Sequence, residues 1–161
     1  MAAPNKVLPG FVAAMYCQPT STPTPLTTSA LGTNATVAAL AIAANQLPIE
    51  SVPVFGRDDA VATYAIAGSR ESGKIPVQSA PTSMTITAAW NPSDANLLLM
   101  QADSDLGTVI RTFIIGFVDG ATNKYFSFNG RVSMFHIDAQ PGAESKCVFS
   151  VHPVGNQFGW A

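Results

Sequence analysis

The chain has 161 residues and a mass of 16.8 kDa, which is enough for one domain with its own hydrophobic core. Only 11% of its residues are charged, compared with roughly 25% in typical soluble domains. The net charge is −2 and the eight basic residues are scattered, which excludes a basic surface for tight nucleic-acid binding. With so little charge to cover its surface, the protein is expected to bury part of that surface in an oligomer.

Residues 1–35 are predicted to be an extended N-terminal arm with a Pro/Thr-rich loop, and residues 36–161 a single β domain. Prolines in the stretch 18–34 (QPTSTPTPLTTSALGTN) exclude it from a sheet interior or a helix. The stretch 36–55 mixes alanines with β-branched residues and prolines, and we interpret it as short strands. No signal-peptide cleavage site or membrane-spanning run is recognised, so a cytoplasmic product is expected.

Charge is concentrated in the middle of the chain, where seven of the 18 charged residues fall between positions 50 and 74. Two interpretations remain open for this stretch: a solvated loop, or a polar contact between subunits. Further loop is expected at 72–82, because this segment contains a glycine and two prolines. The candidate contact residues are Arg57, Asp58, Asp59, Arg70, Glu71 and Lys74.

The segment TSMTITAAWNPSDANLLLMQ, residues 82–101, predicts a strand followed by a helix. Apolar residues alternate in its first half, which is typical of a half-buried strand ending at Trp90. Asn91 is then expected to cap a helix over about residues 92–104, with Pro92 at its first position and Asp94 in its first turn. Leu98 or Leu99 is expected to pack this helix against the sheet.

The last 50 residues predict a three-stranded antiparallel meander. Its first strand, within 108–119, is apolar on both faces except at Arg111 and Thr112, as in a central strand. Gly130 is expected to mark a bulge in the second strand. The fold class is therefore mainly β: an antiparallel β-sandwich or barrel with one flanking α-helix and long loops. The predicted packing residues are Trp90, Leu98, Phe113, Phe128 and Phe149.

No catalytic, cofactor-binding or metal site is predicted, and the protein is not expected to be an enzyme. His136 and His152 could share a metal with Asp138 or Glu144, but their spacing matches no ligand motif and structural histidines are favoured. The aromatic residues are interpreted as core rather than as a stacking platform.

Other polar side chains have structural interpretations as well. Asp94 is explained by helix capping, and Asp103 and Asp105 by solubilising a helix end. Cys17 and Cys147 are interpreted as two buried thiols, with a disulfide as the alternative.

From about residue 49 to its end, the chain resembles the tail tube (major tail) proteins of long-tailed bacteriophages, the lambda-like ones in particular. The resemblance rests on ITAAWNPSDANLLLMQADSDLGT, a strand, a W-[DN]-P-x-D join and a short helix. It rests also on GFVDGATNKYFSFNGRVSMFHIDAQPGAESKCVFSVHPVGNQFGW, a hairpin with a DG turn and a last strand ending in P-x-G and Trp.

The resemblance implies hexameric rings stacked into a virion tail tube, a conduit through which DNA passes without specific binding. It further implies assembly in the host cytoplasm with tape measure, tail tip and terminator proteins, with no cofactor and no membrane. It makes the loop from Gly56 to Lys74 a candidate contact between stacked rings. The alternative is a secreted or fimbrial β-sandwich adhesion module, which predicts a disulfide between Cys17 and Cys147.

Overall fold

The computed structural model describes residues 12–19, 24–65, 72–118, 123–139 and 144–161. Its largest unit is a six-stranded antiparallel sheet with the strand order β2-β1-β6-β7-β8-β5, and β3 and β4 form a separate two-stranded ribbon. The strands are β1 (Val12–Cys17), β2 (Gln46–Leu47), β3 (Arg57–Ala65), β4 (Ser72–Pro81), β5 (Met84–Ala89), β6 (Arg111–Val118), β7 (Asn123–Asp138) and β8 (Lys146–Trp160). The predicted mainly β, antiparallel fold is confirmed.

The predicted C-terminal meander is present, because β6, β7 and β8 are neighbours in the sheet in chain order. In β6, every residue from Arg111 to Gly116 is buried, as expected for a central strand with material packed on both faces. A register shift between Phe128 and Gly130 also matches the predicted bulge at Gly130.

The edge strands of the sheet are β2 and β5. Residues 46–50 contain β2 and continue from it to β5, so this short segment contacts both ends of the sheet. At its start, Leu47 pairs with Met15 of β1. At its end, Ile49 forms a bridge to Ala88 of β5, and the Pro48 carbonyl accepts a hydrogen bond of 2.9 Å from the Ala89 amide. The sheet is therefore curled, and a segment too short to be a full strand links β1 to β5.

The inner face of the curled sheet, on which the main core lies, is covered by α3 (Ala95–Leu106). Leu97 and Met100 of this helix are fully buried there, together with the sheet residues Phe113, Phe128 and Phe149. Of the two leucines predicted to pack against the sheet, Leu99 is partly buried against the main core, whereas Leu98 is exposed and its prediction as a packing residue is wrong. The stripe that the helix buries consists of Asn96, Leu97, Met100 and Asp103, and its two polar members hid it from a search for apolar residues at helical spacing.

The cap of α3 is Asp94 rather than Asn91. The Asp94 carboxylate accepts hydrogen bonds from the backbone amides of Asn96 and Leu97, at 2.9 and 3.1 Å. The Asn91 side chain instead accepts from the Ser93 amide, a local turn that precedes the helix. The helix therefore starts at Ala95 and runs to Leu106 instead of over about 92–104, and Gly107 ends it in the left-handed conformation.

The outer face of β1, β6 and β7 is covered by a strap, residues 24–41, which contains α1 (Thr28–Leu31) and α2 (Asn34–Leu40). Val37 of α2 is fully buried in a second cluster with Ile114 and Tyr125. The strands predicted within 36–55 are therefore wrong except at Gln46–Leu47. The helix propensity of the alanines prevails there, because one face of α2 is buried on the sheet.

Three side chains of the outer face hold the strap by hydrogen bonds to its backbone. Thr112 Oγ1 accepts from the Leu26 amide at 3.0 Å, and the Asn129 side-chain amide donates to the Leu26 carbonyl at 2.8 Å. Ser127 Oγ donates to the Leu31 carbonyl at 2.5 Å. These contacts explain why polar residues are buried in the middle of an otherwise apolar sheet.

The segment predicted as an N-terminal arm contributes directly to the folded body. Within residues 1–35, β1 pairs with β6 along its whole length, from Val12 opposite Val118 to Cys17 opposite Phe113. The strap begins in the same segment, and it contains α1 where the prolines had suggested only loop. Residues 12–19 and 24–35 therefore pack on or within the sheet.

Candidate assembly surface

The segment predicted as a charged loop is a β-ribbon. The nine residues of β3 pair with β4 from Arg57 opposite Pro81 to Ala65 opposite Ser72, and all nine are exposed. Pro76 pairs with Val61, and the register of the two strands shifts between Val61 and Ala60. A bulge of this kind locally disrupts the ladder of hydrogen bonds, so a proline is tolerated beside it. The prediction of loop failed because prolines were taken to exclude pairing.

The ribbon does not bring the predicted contact residues into one cluster. Arg57, Asp58 and Asp59 lie at its base, opposite the last residues of β4. Lys74 lies opposite Thr63, six strand residues from Arg57, or about 20 Å along the ribbon. Arg70 and Glu71 lie outside the described residues.

Asp58, at the base of the ribbon, is hydrogen-bonded within the chain. Asp58 Oδ2 accepts a hydrogen bond of 3.1 Å from Thr82 Oγ1, and the Thr82 amide donates to the Gly56 carbonyl at 3.1 Å. These two bonds fix the base of the ribbon against the residues that enter β5. The basal charges thus lie at a defined junction between ribbon and sheet.

Sequence reasoning missed the exposed apolar side chains of the ribbon. Val61, Ile75 and Val77 expose 52%, 51% and 65% of their surface. Tyr64 is also exposed, and its ring lies across Gly73, where a β-carbon would overlap it. The sequence does contain a signal for these strands, because larger apolar residues recur at intervals of two or three in AVATYA and in GKIPVQ. The charged residues and prolines nearby led instead to the prediction of a loop. An isolated two-stranded ribbon is marginally stable in water, so these side chains mark a candidate surface for assembly.

The histidines have structural environments. His152 is bridged by two hydroxyl groups, with Ser83 Oγ 2.8 Å from Nδ1 and Ser133 Oγ 2.7 Å from Nε2. His136 lies exposed on β7, opposite Val148. Within the described ranges, no group of three or more His, Cys, Asp or Glu side chains is arranged to hold a metal ion.

The two cysteines are buried free thiols. Burial raises the pKa of the Cys17 thiol to about 12, although the nearby Arg111 guanidinium partly opposes this shift. Burial also raises the pKa of the Cys147 thiol. Neither thiol has the depressed pKa and exposure that a nucleophilic cysteine requires.

An exposed ion pair joins Lys146 of β8 to Glu50 in the segment that links the sheet edges. The hydrogen bond and charge of Glu50 raise the pKa of Lys146.

In the part of the chain that the structure describes, no helix is both long and apolar enough to cross a membrane.

Two solved structures share this fold over nearly the full length of the chain. One is a chain of the PVC sheath/tube terminator of an extracellular contractile injection system in its extended state, with a TM-score of 0.67 and 12% identity over 99% of both chains. The other is a chain of the six-fold symmetrised baseplate of the anti-feeding prophage, AFP, with a TM-score of 0.61 and 12% identity. That match covers 100% of this chain and 97% of the other.

At the level of sequence, no protein family and no curated protein matches the chain. The likeness at 12% identity is therefore one of fold. The chain therefore shares its fold with a chain of an extracellular contractile injection system and with a chain of the anti-feeding prophage baseplate.

Proposed function

We propose that the chain is a structural, non-enzymatic subunit of a phage tail or tail-like injection particle. In this role it forms hexameric rings that stack into a tail tube, the conduit for DNA ejection. The observation that carries the proposal is the likeness of fold, over 97% or more of each chain, to a chain of an extracellular contractile injection system and to a chain of the anti-feeding prophage baseplate. Their shared fold supports a tail role, and the ring and tube are the finer part of the proposal.

The surface of the free subunit supports an assembled state. The ribbon exposes large apolar side chains, and only 11% of the chain is charged. Both features are unfavourable for a monomer in water and are explained by burial between subunits. A closed ring also protects open strand edges from uncontrolled pairing.

The charged residues of the ribbon are proposed to contact the next ring. One group of polar contacts, at the base of the ribbon, would come from Arg57, Asp58 and Asp59. A second, separate contact would come from Lys74. Arg70 and Glu71, which lie between β3 and β4 in sequence, belong to the same proposal. A few exposed ion pairs contribute little energy each, so they would determine the register of stacking more than its strength.

The remaining partners follow from this role. Tape measure, tail tip and terminator proteins would contact the rings, and DNA would pass through the lumen without specific binding. The scattered basic residues and net charge of −2 agree with weak contact to phosphate groups, since strong contacts would slow DNA movement. The protein would be located in the virion tail after assembly in the host cytoplasm.

A second candidate function is a ring that terminates the tube rather than a repeating tube subunit. The match to a chain of a structure described as a sheath/tube terminator favours it. No observation favours the adhesion module, which predicted a disulfide between Cys17 and Cys147, because both are free thiols in the described structure.

Negative-stain electron microscopy of the concentrated protein tests the proposal. Stacked rings of six subunits are the result expected for a tube protein, and discrete rings that do not stack would indicate a terminator. A monodisperse monomer at every concentration would refute both functions. For the stacking contact, R57E combined with R70E should give a folded protein that no longer forms long tubes, and tubes of normal length would refute that contact.

A further inference from the structure

We infer that the outer face of the sheet carries a binding site for a tetrahedral oxyanion, a phosphate group, formed by Ser83, Arg131, Ser133 and His152. Binding of the anion is coupled to the uptake of a proton by His152. This inference goes beyond the proposed tail role and does not depend on it, because it concerns a surface of the single subunit.

The charged members of the site share the face of the sheet that is turned away from the main core. Arg131 and His152 are directly opposed in the pairing of β7 with β8, and directly opposed residues lie on the same face. Their neighbours in sequence, Val132 and Val151, are buried in the main core, so Arg131 and His152 lie on the outer face. Both are exposed, because the strap covers β1, β6 and the first half of β7.

Two hydroxyl groups hold the His152 ring at the centre of the site. Ser83 Oγ lies 2.8 Å from Nδ1, and Ser133 Oγ lies 2.7 Å from Nε2. Ser83 directly precedes β5, so the ring connects the start of β5 to β7 across β8. Because both ring nitrogens are occupied, a ligand at this place meets the two hydroxyls rather than the ring itself.

The protonation state of the ring decides how many hydroxyl hydrogens are free. A neutral imidazole has one N–H donor and one bare nitrogen, so one of the two hydroxyls must donate its only hydrogen to the ring. In the imidazolium form both nitrogens donate, so both hydroxyls accept from the ring and both keep their hydrogens. An anion that accepts hydrogen bonds from Ser83 and Ser133 together therefore selects the protonated ring.

Arg131 supplies the fixed positive charge of the site. In the part of the chain that the structure describes, its guanidinium has no ion-pair partner. Directly opposed side chains on adjacent strands are about 5 Å apart, so a positive charge on His152 is unfavourable beside Arg131 in the empty site. An anion that contacts both relieves this repulsion, and anion and proton therefore favour the binding of each other. Guanidinium and hydroxyl donors suit the oxygens of a phosphate group.

The other elements around the ring bring few further charges. The sequence of β5, MTITAA, contains none. The ribbon, whose strand β4 contacts β8, has Arg57, Asp58 and Asp59 at its base, and Asp58 is held by Thr82, the residue before Ser83. A carboxylate there favours the protonated ring and disfavours the anion, so the site depends on Arg131 for its affinity. The remaining titratable groups of β7 and β8 lie farther along these strands: Lys124, Tyr125, His136, Asp138, Lys146 and Cys147.

A bulge in β7 lies directly beside Ser133. The register with β8 shifts between Ser133 and His136, and Met134 has a positive φ of 55°. A non-glycine residue in this region is uncommon, and strained backbone of this kind concentrates at functional sites. The position of the strain next to one of the two hydroxyl donors agrees with a binding site at this end of the strand.

Titration with sulfate tests the inference, because sulfate is a tetrahedral dianion whose charge does not change near neutral pH. Isothermal titration calorimetry at constant ionic strength should show saturable binding that is tighter at about pH 6 than at about pH 8. The same titration in two buffers of different ionisation enthalpy measures proton uptake, which should accompany binding at about pH 7.

Four variants assign the effect to the proposed residues. R131Q should weaken sulfate binding about tenfold, because a charge-assisted contact is lost. K124Q removes a positive charge from an exposed position of the same strand and should bind sulfate as the wild type does. H152Q should bind weakly and equally at both pH values, without proton uptake, and S133A should also weaken binding. Circular dichroism should show the wild-type spectrum for all four variants.

A competition experiment identifies the source of the phosphate group. Displacement of sulfate by inorganic phosphate alone indicates a free phosphate ion. Displacement by a single-stranded oligonucleotide as well, weakened in R131Q, indicates the phosphodiester chain of a nucleic acid.

Three results would overturn the inference: no saturable sulfate binding at about pH 6, binding without proton uptake, or equal affinity in R131Q and K124Q. None of these results bears on the proposed tail role, which is tested by the formation of rings.

Discussion

Arg111 of β6 and Asp103 of α3 form an ion pair that is buried in the core. The Arg111 guanidinium donates through Nε and Nη2 to the two carboxylate oxygens, with the Nη2 to Oδ1 distance at 2.9 Å, and through Nη1 to the Gln18 carbonyl at 3.0 Å. The pair thereby connects the helix, the central strand and the end of β1. Asp103 is thus a core residue and not a solubilising one, whereas Asp105 is exposed.

Asp103→Asn should destabilise the protein by about 3 to 5 kcal/mol, the usual cost of leaving one member of a buried ion pair without its partner. The free energy of unfolding in urea measures this effect. Asp105→Asn is the matched control and should change it by less than about 0.5 kcal/mol, because surface substitutions are usually small. An equally small change in both variants would contradict the structural role of the pair.

Asp94→Ala should lower stability by about 1 kcal/mol, because two backbone amides at the start of α3 would lose their acceptor. The comparison variant is Asn91→Ala, which removes one hydrogen bond to Ser93 outside the helix. We expect it to be the milder change in a urea unfolding series. The reverse order would indicate that the helix starts near Pro92 in solution.

Gly159→Ala should loosen the strap, because a β-carbon at this position would overlap the backbone of Leu31 and Gly32. Backbone cannot move aside as a flexible side chain does, so α1 would have to shift from β8. The expected result is faster proteolysis within residues 24–41 at an unchanged protease concentration. Gly32→Ala, with open space around its β-carbon, should be cleaved at the wild-type rate.

Cys17 should resist alkylation in the folded protein. Burial raises its pKa from 9.0 to about 12, so at pH 8 iodoacetamide should modify it only after unfolding. Because the folded state holds this proton more tightly, its contribution to stability is complete below pH 9 and is lost as the pH rises toward 12. The pH dependence of unfolding should therefore be steeper in the wild type than in Cys17→Ala, and identical slopes would contradict this assignment.

Local patterns in the sequence were sufficient for several elements. Met84, Ile86 and Ala88 are buried as their alternation predicted, and Trp90 packs against the core with its ring on Phe135. The central position of β6 and the bulge at Gly130 were likewise visible in the sequence. The alternation of β5, the apolar character of β6 on both faces and the glycine in β7 are all signals that act within a single strand.

The candidate site was less accessible from the sequence. Its approximate location between residues 57 and 74 was found through its charges, whereas its ribbon structure and its apolar faces were missed. Arg111 was recognised as an exception in an apolar strand, but its partner was not, because Asp103 lies on a different element, eight residues earlier in α3. Pairing of this kind depends on how α3 lies on the sheet, and no local pattern encodes that.

The sequence by itself determined the general character of the chain: mainly strands, one long helix and few charges. Periodicity and propensity act over a few residues, and these properties depend on nothing longer. Only the tertiary structure decided that β1 lies inside the sheet, that the strap covers its outer face, and that β3 and β4 project as a ribbon. Those outcomes depend on contacts between residues far apart in the chain, where burial outweighs local preference.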